Sequence, residues 1–484
     1  MAGSVSLSPL SSPPSARYEA LEERRAVALE PDRKRARGLS AALSWLVYLW
    51  NPADPERRRL NARRRLELPA HLRLPEQIMG RSHHSCGATY GVLERCNFAC
   101  TSCYLSKEAN RVPPLEPKEV KGQLDALRAF LGPQGKAQLT AGEVTLLPRE
   151  VLGSYIRYAK AIGLDPMVMS HGERFLAQPD YLRDLMVKDG LEKISIHVDT
   201  TQRGRSGWRK DLRERDLREV RERYAKLLRH LRSTTGRKLH AAHTVTVTER
   251  NLAEVEEIVS WAARNCDAFR MVSFQPVAEV GRTEDQRPAD LSLAAVWKEI
   301  CAGLGAEELN PRGFLFGHPE CNIVAPLVIV RSGPYQLILE PCRRNKNWDR
   351  RFLERLMVRL GGFSTIGRSP VTNALALLSL ALQNLPLLAE VPFYAAYRLG
   401  SLRRELVSLA AAMLRHRQLS IRPLALVVHK FMSPEELTTE LGQERLQACV
   451  FKVPVGSKMT SMCELNATDL RSRLNEQQRG SVPA

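Results

Sequence analysis

From about position 85, short apolar runs alternate with polar residues, and each run leads into a longer stretch with helical spacing. "CGATYGVLERC", from Cys86, opens as a strand and enters a cysteine-bearing loop. Glu116 to Phe130 has helical spacing, and "AQLTAGEVTLL" reads as a strand followed by a glycine-containing loop. Val151 to Ile162 is a predicted helix and "PMVMSHG" a strand ending in a turn. "KISIHVD" alternates as a strand, ahead of a charged segment with a long helix over roughly Asp211 to Thr234. "LHAAHTVTVT" is a strand, Asn251 to Asn265 a helix, and "AFRMVSFQPV" another strand. Strand-then-helix repetition predicts an α/β fold with a parallel sheet and helices outside it. About six strands fit a partial (β/α)6 barrel, which would carry its functional residues at the C-terminal strand ends.

The flanks read differently. Residues 1–16 are Ser/Pro-rich, a predicted disordered tail, and 17–84 form a basic and apolar helical extension. Within it, Leu39–Trp50 is apolar but shorter than the ~20 residues a bilayer span needs, so it is a buried or an interfacial helix. Arg57–Arg65 is a strongly basic helix suited to anionic headgroups or to solvent. The barrel is expected over 85–310. A C-terminal domain over 311–484 begins with short strands and turns, then looks mostly helical over 347–430, with an apolar helical insertion at about 350–440. Val371–Gly400 is its most apolar stretch, interrupted by Asn373, Gln383, Asn384, Pro386 and Glu390. Such residues argue against a spanning helix. A buried hairpin and a hairpin that docks on a membrane or a greasy substrate remain.

Composition supports a large globular core: 484 residues, 44% hydrophobic and 26% charged. The net charge of +19 serves solubility or draws an anionic partner. No nucleic-acid-binding module is recognisable, and 6% aromatic residues leave no stacking stripe, so nucleic acid is the weaker partner. No secretory signal is evident, which points to the reducing cytoplasm and asks why cysteines cluster.

Cys96, Cys100 and Cys103 lie in eight positions. Such a loop can present three thiolates to one soft metal centre. Zinc would want a fourth ligand, for which His83, His84 and Cys86 are candidates. A trio alone suits a four-iron cluster with one iron open. With this spacing the sequence resembles the radical S-adenosylmethionine (SAM) superfamily, and the downstream "GHPEC" and the late cysteines Cys449 and Cys463 make it resemble the subgroup of tetraether lipid synthase and pterin methyltransferase-like proteins. The resemblance implies a TIM-like barrel, a [4Fe–4S] cluster on the three cysteines, SAM bound at the open iron, and a 5'-deoxyadenosyl radical that removes hydrogen. Ala141, Gly142 and Glu143 resemble the Gly-Gly-Glu motif that holds the SAM amino group, with Ala141 in the first glycine position. Ser170, His171 and His197 then fall where the family contacts the SAM carboxylate or ribose. Asp199 falls beside them or faces the substrate, and Gln275 faces adenine or substrate. Ser102 stands where many members have an aromatic residue against adenine, a role Phe98 or Tyr104 could take. Arg209 and Lys210 read as solvated loop charges or as anion ligands.

A second quartet, Cys321, Cys342, Cys449 and Cys463, could hold an auxiliary [4Fe–4S] cluster or zinc, with His318 as an adjacent ligand or a turn residue. Cys266 and Cys301 read as buried free cysteines. The expected function is hydrogen abstraction from an unactivated C–H bond, in a lipid chain, leading to C–C bond formation. Methyl or one-carbon transfer to a pterin-like substrate, RNA modification and a metal-stapled membrane adaptor are the alternatives. A zinc hydrolase would want a motif such as HExxH, which is missing. The expected partners are a reducing protein such as flavodoxin or ferredoxin and a lipid or membrane surface, with peripheral membrane association in the cytoplasm.

Overall fold

The computed structural model describes residues 54–288, 291–361, 363 and 370–480. The predicted tail 1–16 and the apolar run Leu39–Trp50 lie outside the described residues. Among the described residues eleven strands form one sheet: β1 Cys86–Ala88, β2 Lys136–Leu139, β3 Asp165–Ser170, β4 Lys193–His197, β5 His240–Val247, β6 Phe269–Pro276, β7 Asn322–Ser332, β8 Tyr335–Leu339, β9 Ser420–His429, β10 Phe451–Val455 and β11 Lys458–Ser461. The order is β11-β10-β1-β2-β3-β4-β5-β6-β9-β7-β8, and β1 to β6 pair in parallel in chain order. The sheet curls into a partial barrel with helices outside, the α/β architecture predicted from alternation.

Local chemistry sets the element ends. Helix Pro117–Leu131 starts with proline in its first turn and a Glu116–Glu119 capping box, and stops at Gly132 with φ +76°. Along the strands, Ile194, Ile196, Val245, Val247, Val272 and Phe274 are fully buried beneath the helices. The alternating positions Ser195, His197, Thr244, Thr246, Ser273 and Gln275 face inward. The outer face is therefore the apolar core and the inner face a polar lining, with Ser195 Oγ and Thr244 Oγ1 2.8 Å apart.

Residues beyond 311 extend this same sheet at both edges. β9 pairs in parallel with β6, and β10 in parallel with β1, while β7, β8 and β11 are antiparallel. Residues 420–429, expected to be part of a helical region, are instead β9. Leu424, Leu426 and Val428 are completely buried on one face of it, a period-two signal hidden behind the long apolar run before it. That run forms the helices Pro370–Gln383, Leu385–Ser401 and Arg403–His416. No described helix is by itself long and apolar enough to cross a membrane; Val371–Gln383 and Leu385–Ser401 pass that test only as a pair bent by 90°.

The basic helix packs against the protein rather than standing free. It spans Pro55–Glu67, capped by Asp54, and buries Asn61, Arg64 and Arg65. Arg64 donates to the Cys449 carbonyl at 2.7 Å and Arg65 to the Arg73 carbonyl at 2.7 Å.

Candidate functional site

The loop after β1 carries Cys96, Cys100 and Cys103 and is tied by backbone hydrogen bonds to three other loops at strand ends. Gly142 N–H donates to the Leu93 carbonyl and Glu143 N–H to the Arg95 carbonyl, each at 2.9 Å. Ala99 N–H donates to the Arg203 carbonyl at 2.7 Å and Thr101 N–H to the Thr201 carbonyl at 2.9 Å. Arg282 N–H donates to the carbonyls of Cys103 and Leu105 at 3.0 and 2.9 Å, and Cys103 N–H to Thr283 Oγ1 at 3.0 Å. Gly142 is required by close approach: a Cβ there would lie 2.4 Å from the carbonyl oxygens of both Glu94 and Arg95.

Glu143 is buried and its carboxylate is filled with donors. Oε1 accepts from Thr145 N–H at 3.0 Å and Ser170 Oγ at 2.8 Å; Oε2 accepts from His171 N–H at 2.8 Å. His171 Nε2 lies 2.8 Å from Asn97 Oδ1 and 3.2 Å from Glu143 Oε2. Burial lowers the His171 pKa, with Glu143 opposing it. Phe98 stacks on His171 with centroids 3.9 Å apart, under the Arg205 guanidinium. Arg205 in turn donates to the carbonyls of His171 and His197 at 2.8 and 3.0 Å. Glu143, Ser170, His171 and Phe98 thus form one packed group beneath the cysteine loop.

Asp199 sits behind His197, fully buried, and contacts His197 Nε2 through Oδ2. Thr201 N–H and hydroxyl donate to Oδ1 at 2.9 and 2.6 Å, and Thr246 N–H donates to Oδ2 at 2.6 Å. Burial acts to raise the Asp199 pKa, but His197 and these donors outweigh it and hold the carboxyl below the usual carboxylate range. Asp199 therefore orients His197, whose ring is the partly exposed member of the pair. Gln275 stands opposite Thr246 in the β5–β6 ladder, at the same rim. Tyr104 donates its hydroxyl to the Ala141 carbonyl at 2.8 Å, and Ser102 donates to Asp285 at 2.7 Å. Arg209 pairs with Asp216 on the exposed surface.

Burial pushes the Cys96 thiol up to about 12, with Glu143 and Cys103 adding to the rise. Cys100 is raised well above its ordinary value, by burial first and then by Cys103, Asp199 and Cys96. The three thiols thus lie within each other's electrostatic reach, and such thiols release protons when a cation takes their place. A set of three sulfur donors suits a soft metal or an iron–sulfur cluster. Among the described residues, no three His, Cys, Asp or Glu side chains stand as a ready-made ion site. His83 and His84 do not join the trio: they pack on Phe316 and Phe130, with centroids 6.0 and 4.7 Å away.

Of the second quartet, Cys321, Cys449 and Cys463 lie within electrostatic reach of one another, without standing as a ready-made ion site. Cys449 and Cys321 each raise the Cys463 pKa, after burial, and Cys449 raises that of Cys321. Arg445 Nε lies 3.3 Å from Cys321 Sγ, and Met432 N–H donates to Cys463 Sγ at 3.4 Å. Cys342 stays apart, surrounded by Glu76, Asp349 and Glu340, and burial raises it to about 11. Cys86 instead neighbours Cys449, because β1 and β10 pair with Cys86 opposite Phe451. His318 makes turn contacts, accepting from Glu320 N–H at 3.1 Å and lying 2.9 Å from Glu444. Cys266 and Cys301 are buried in the main core. A cleft of about 470 Å³ is lined by Tyr104, Val280, Gly281, Asn466 and Arg471 among others.

Asn97, Arg205, Thr246, Thr283 and Asp285 support the site and carry no motif. Only Thr246 had a sequence signal, the polar phase of "HTVTVT" on the same face as Thr244.

Residues 90–262 match the Radical SAM superfamily, so the chain carries a radical SAM domain over that span. Over 200 residues the chain is 24% identical to a 7,8-dihydro-6-hydroxymethylpterin dimethyltransferase of Methanocaldococcus jannaschii. That alignment covers 41% of this chain and 38% of the relative, so the chain spans well under half of that protein's length.

Proposed function

We propose that the radical SAM domain makes this chain an enzyme that activates a C–H bond for methyl or one-carbon transfer to a pterin-like acceptor. The observation that carries the reading is the loop of Cys96, Cys100 and Cys103, lashed to three strand-end loops at the rim of a polar-lined half-barrel. These three cysteines would hold a [4Fe–4S] cluster. When bound, that cluster and SAM would supply the radical chemistry that abstracts hydrogen from a C–H bond.

The chain's own residues bind, orient and shield. Glu143, held by Thr145, Ser170 and His171, keeps the loop at Gly142 against the cysteine loop, at the rim where the motif's likeness would place the SAM amino group. His197, held by Asp199, presents an imidazole to the lumen. Ser195, Thr244, Thr246, Ser273 and Gln275 line it with hydroxyl and amide groups, which complement the hydrogen-bonding edge of a flat heteroaromatic ring better than a bare alkyl chain. The weak likeness to a pterin dimethyltransferase supports the same acceptor class. Cys321, Cys449 and Cys463 are the candidates for an auxiliary cluster or zinc. The net charge of +19 suits an acidic reducing partner of the flavodoxin or ferredoxin kind. A second reading, radical coupling on a lipid chain, is favoured by the leucine-rich exposed helices.

The test is anaerobic reconstitution with iron and sulfide, reduction, and incubation with SAM. 5'-Deoxyadenosine is expected from the native chain and is expected to vanish in Cys100→Ala. A methylated product from 7,8-dihydro-6-hydroxymethylpterin supports the acceptor. No deoxyadenosine under any reductant would sink the enzyme reading, and deoxyadenosine without pterin consumption would sink the acceptor alone.

A further inference from the structure

We propose that the face built from helices Pro370–Gln383, Leu385–Ser401 and Arg403–His416, with the first residues of β9, rests shallowly on an anionic lipid bilayer. Fifteen of the twenty large apolar side chains exposed among the described residues lie between Val371 and Ile421. Leu378 is 56% exposed, Phe393 68%, Val407 67% and Leu414 83%. Scattered surface leucines need no explanation, but a concentration of this kind marks an interaction surface.

The polarity of these helices is inverted. Ser379 and Asn384 are buried, and Asn384 Nδ2 donates to the Leu380 carbonyl at 2.7 Å. Glu390 is tied to Trp348 Nε1 at 2.9 Å and to Arg355. Of the polar residues that argue against a membrane from sequence, Asn384 and Glu390 thus turn toward the protein while Gln383 stays exposed, and most of the leucines turn out.

Charge selects the occupant. Residues 370–422 contain six arginines, two glutamates, and neither lysine nor aspartate. Arg403, Arg404, Arg415, Arg417 and Arg422 are exposed around the apolar residues. Each basic residue near an anionic surface contributes about 1 kcal/mol. The helices of 14 and 17 residues are ~21 and ~26 Å long, short of the ~30 Å hydrocarbon core, and the 90° bend keeps them from lining up. They lie in the interface rather than span it. The platform is held to the core: Tyr394 stacks on Phe352 with centroids 4.1 Å apart, and Tyr394 and Arg398 both bond Asp349, at 3.0 and 2.9 Å.

The experiment is co-sedimentation of the full chain with vesicles of phosphatidylcholine, with and without phosphatidylglycerol, which requires neither SAM nor turnover. Binding to the anionic vesicles is expected, weakening as salt rises. Arg403→Glu with Arg404→Glu should weaken it by at least about tenfold. The combination Leu378→Glu, Phe393→Glu and Leu414→Glu should abolish it while circular dichroism stays native. Binding unchanged in that triple variant overturns the proposal. So does a full chain that stays in the supernatant with both vesicle types, whether a second copy or the chain's own first fifty residues covers the face. A dimer that the triple variant dissociates would identify the second copy.

Discussion

Single atoms decide much of the candidate site. Gly142 is pinned because two carbonyl oxygens of the cysteine loop occupy the place of a side chain. Gly142→Ala is expected to push that loop away at a cost of about 1–3 kcal/mol, read as a lower urea midpoint and weaker SAM binding. Gly122 is the control. It lies inside helix Pro117–Leu131 with open space around its Cα, so Gly122→Ala should add up to about 1 kcal/mol. If both substitutions moved stability the same way, the close-approach argument would fail. The same scale separates two acids. Glu143 and Asp199 are both buried, but Glu143 meets the cysteine-loop group directly, whereas Asp199 reaches the lumen only through His197.

Among the elements, β5 carries a titration buried on its outer face. His243 accepts from Arg221 Nε at 3.2 Å through Nε2, so its proton lies on Nδ1 and is donated to the Ile196 carbonyl at 3.0 Å. Burial, and then Arg221, lower its pKa to about 3. The unfolded chain holds the ordinary value of about 6.5. A neutral histidine with a depressed pKa contributes stability that is complete above about 6.5 and is lost as pH falls toward 3. Urea midpoints should therefore fall between pH 7 and 4, and His243→Gln should show a shallower fall. Equal slopes would remove His243 from the account. The strands β1 to β6 were legible because alternation is local: apolar outer positions and polar inner ones repeat every second residue. The pairings β1–β10 and β6–β9 were not, since their partners lie more than 140 residues apart and no periodicity names a partner. The same limit governs the thiols. Cys96, Cys100 and Cys103 share a loop and could be grouped from spacing, whereas which distant cysteines come near one another depended on strand register, which sets Cys86 opposite Phe451, two residues past Cys449, and leaves Cys342 elsewhere.

At the scale of the whole molecule, the C-terminal helix Leu470–Gly480 clamps the flanks of the cysteine loop. Arg471 pairs with buried Glu94 at 2.6 Å, Asn475 Nδ2 donates to Ser106 Oγ at 2.8 Å, and Gln478 Nε2 donates to the Pro113 carbonyl at 2.6 Å. Arg471→Met strands the Glu94 carboxylate in the interior and should cost about 3–5 kcal/mol in denaturant unfolding. Adding Glu94→Gln should recover part of it, and a single variant as stable as the native chain would contradict the clamp.

Glu94 and Arg471 are 377 positions apart. During synthesis the ribosome therefore releases the cysteine loop long before its counterion exists. The nascent barrel waits with both edge strands unpaired until β9 and β10 emerge, so a stop codon before Arg471 would leave the buried Glu94 beside the cysteine loop without its counterion.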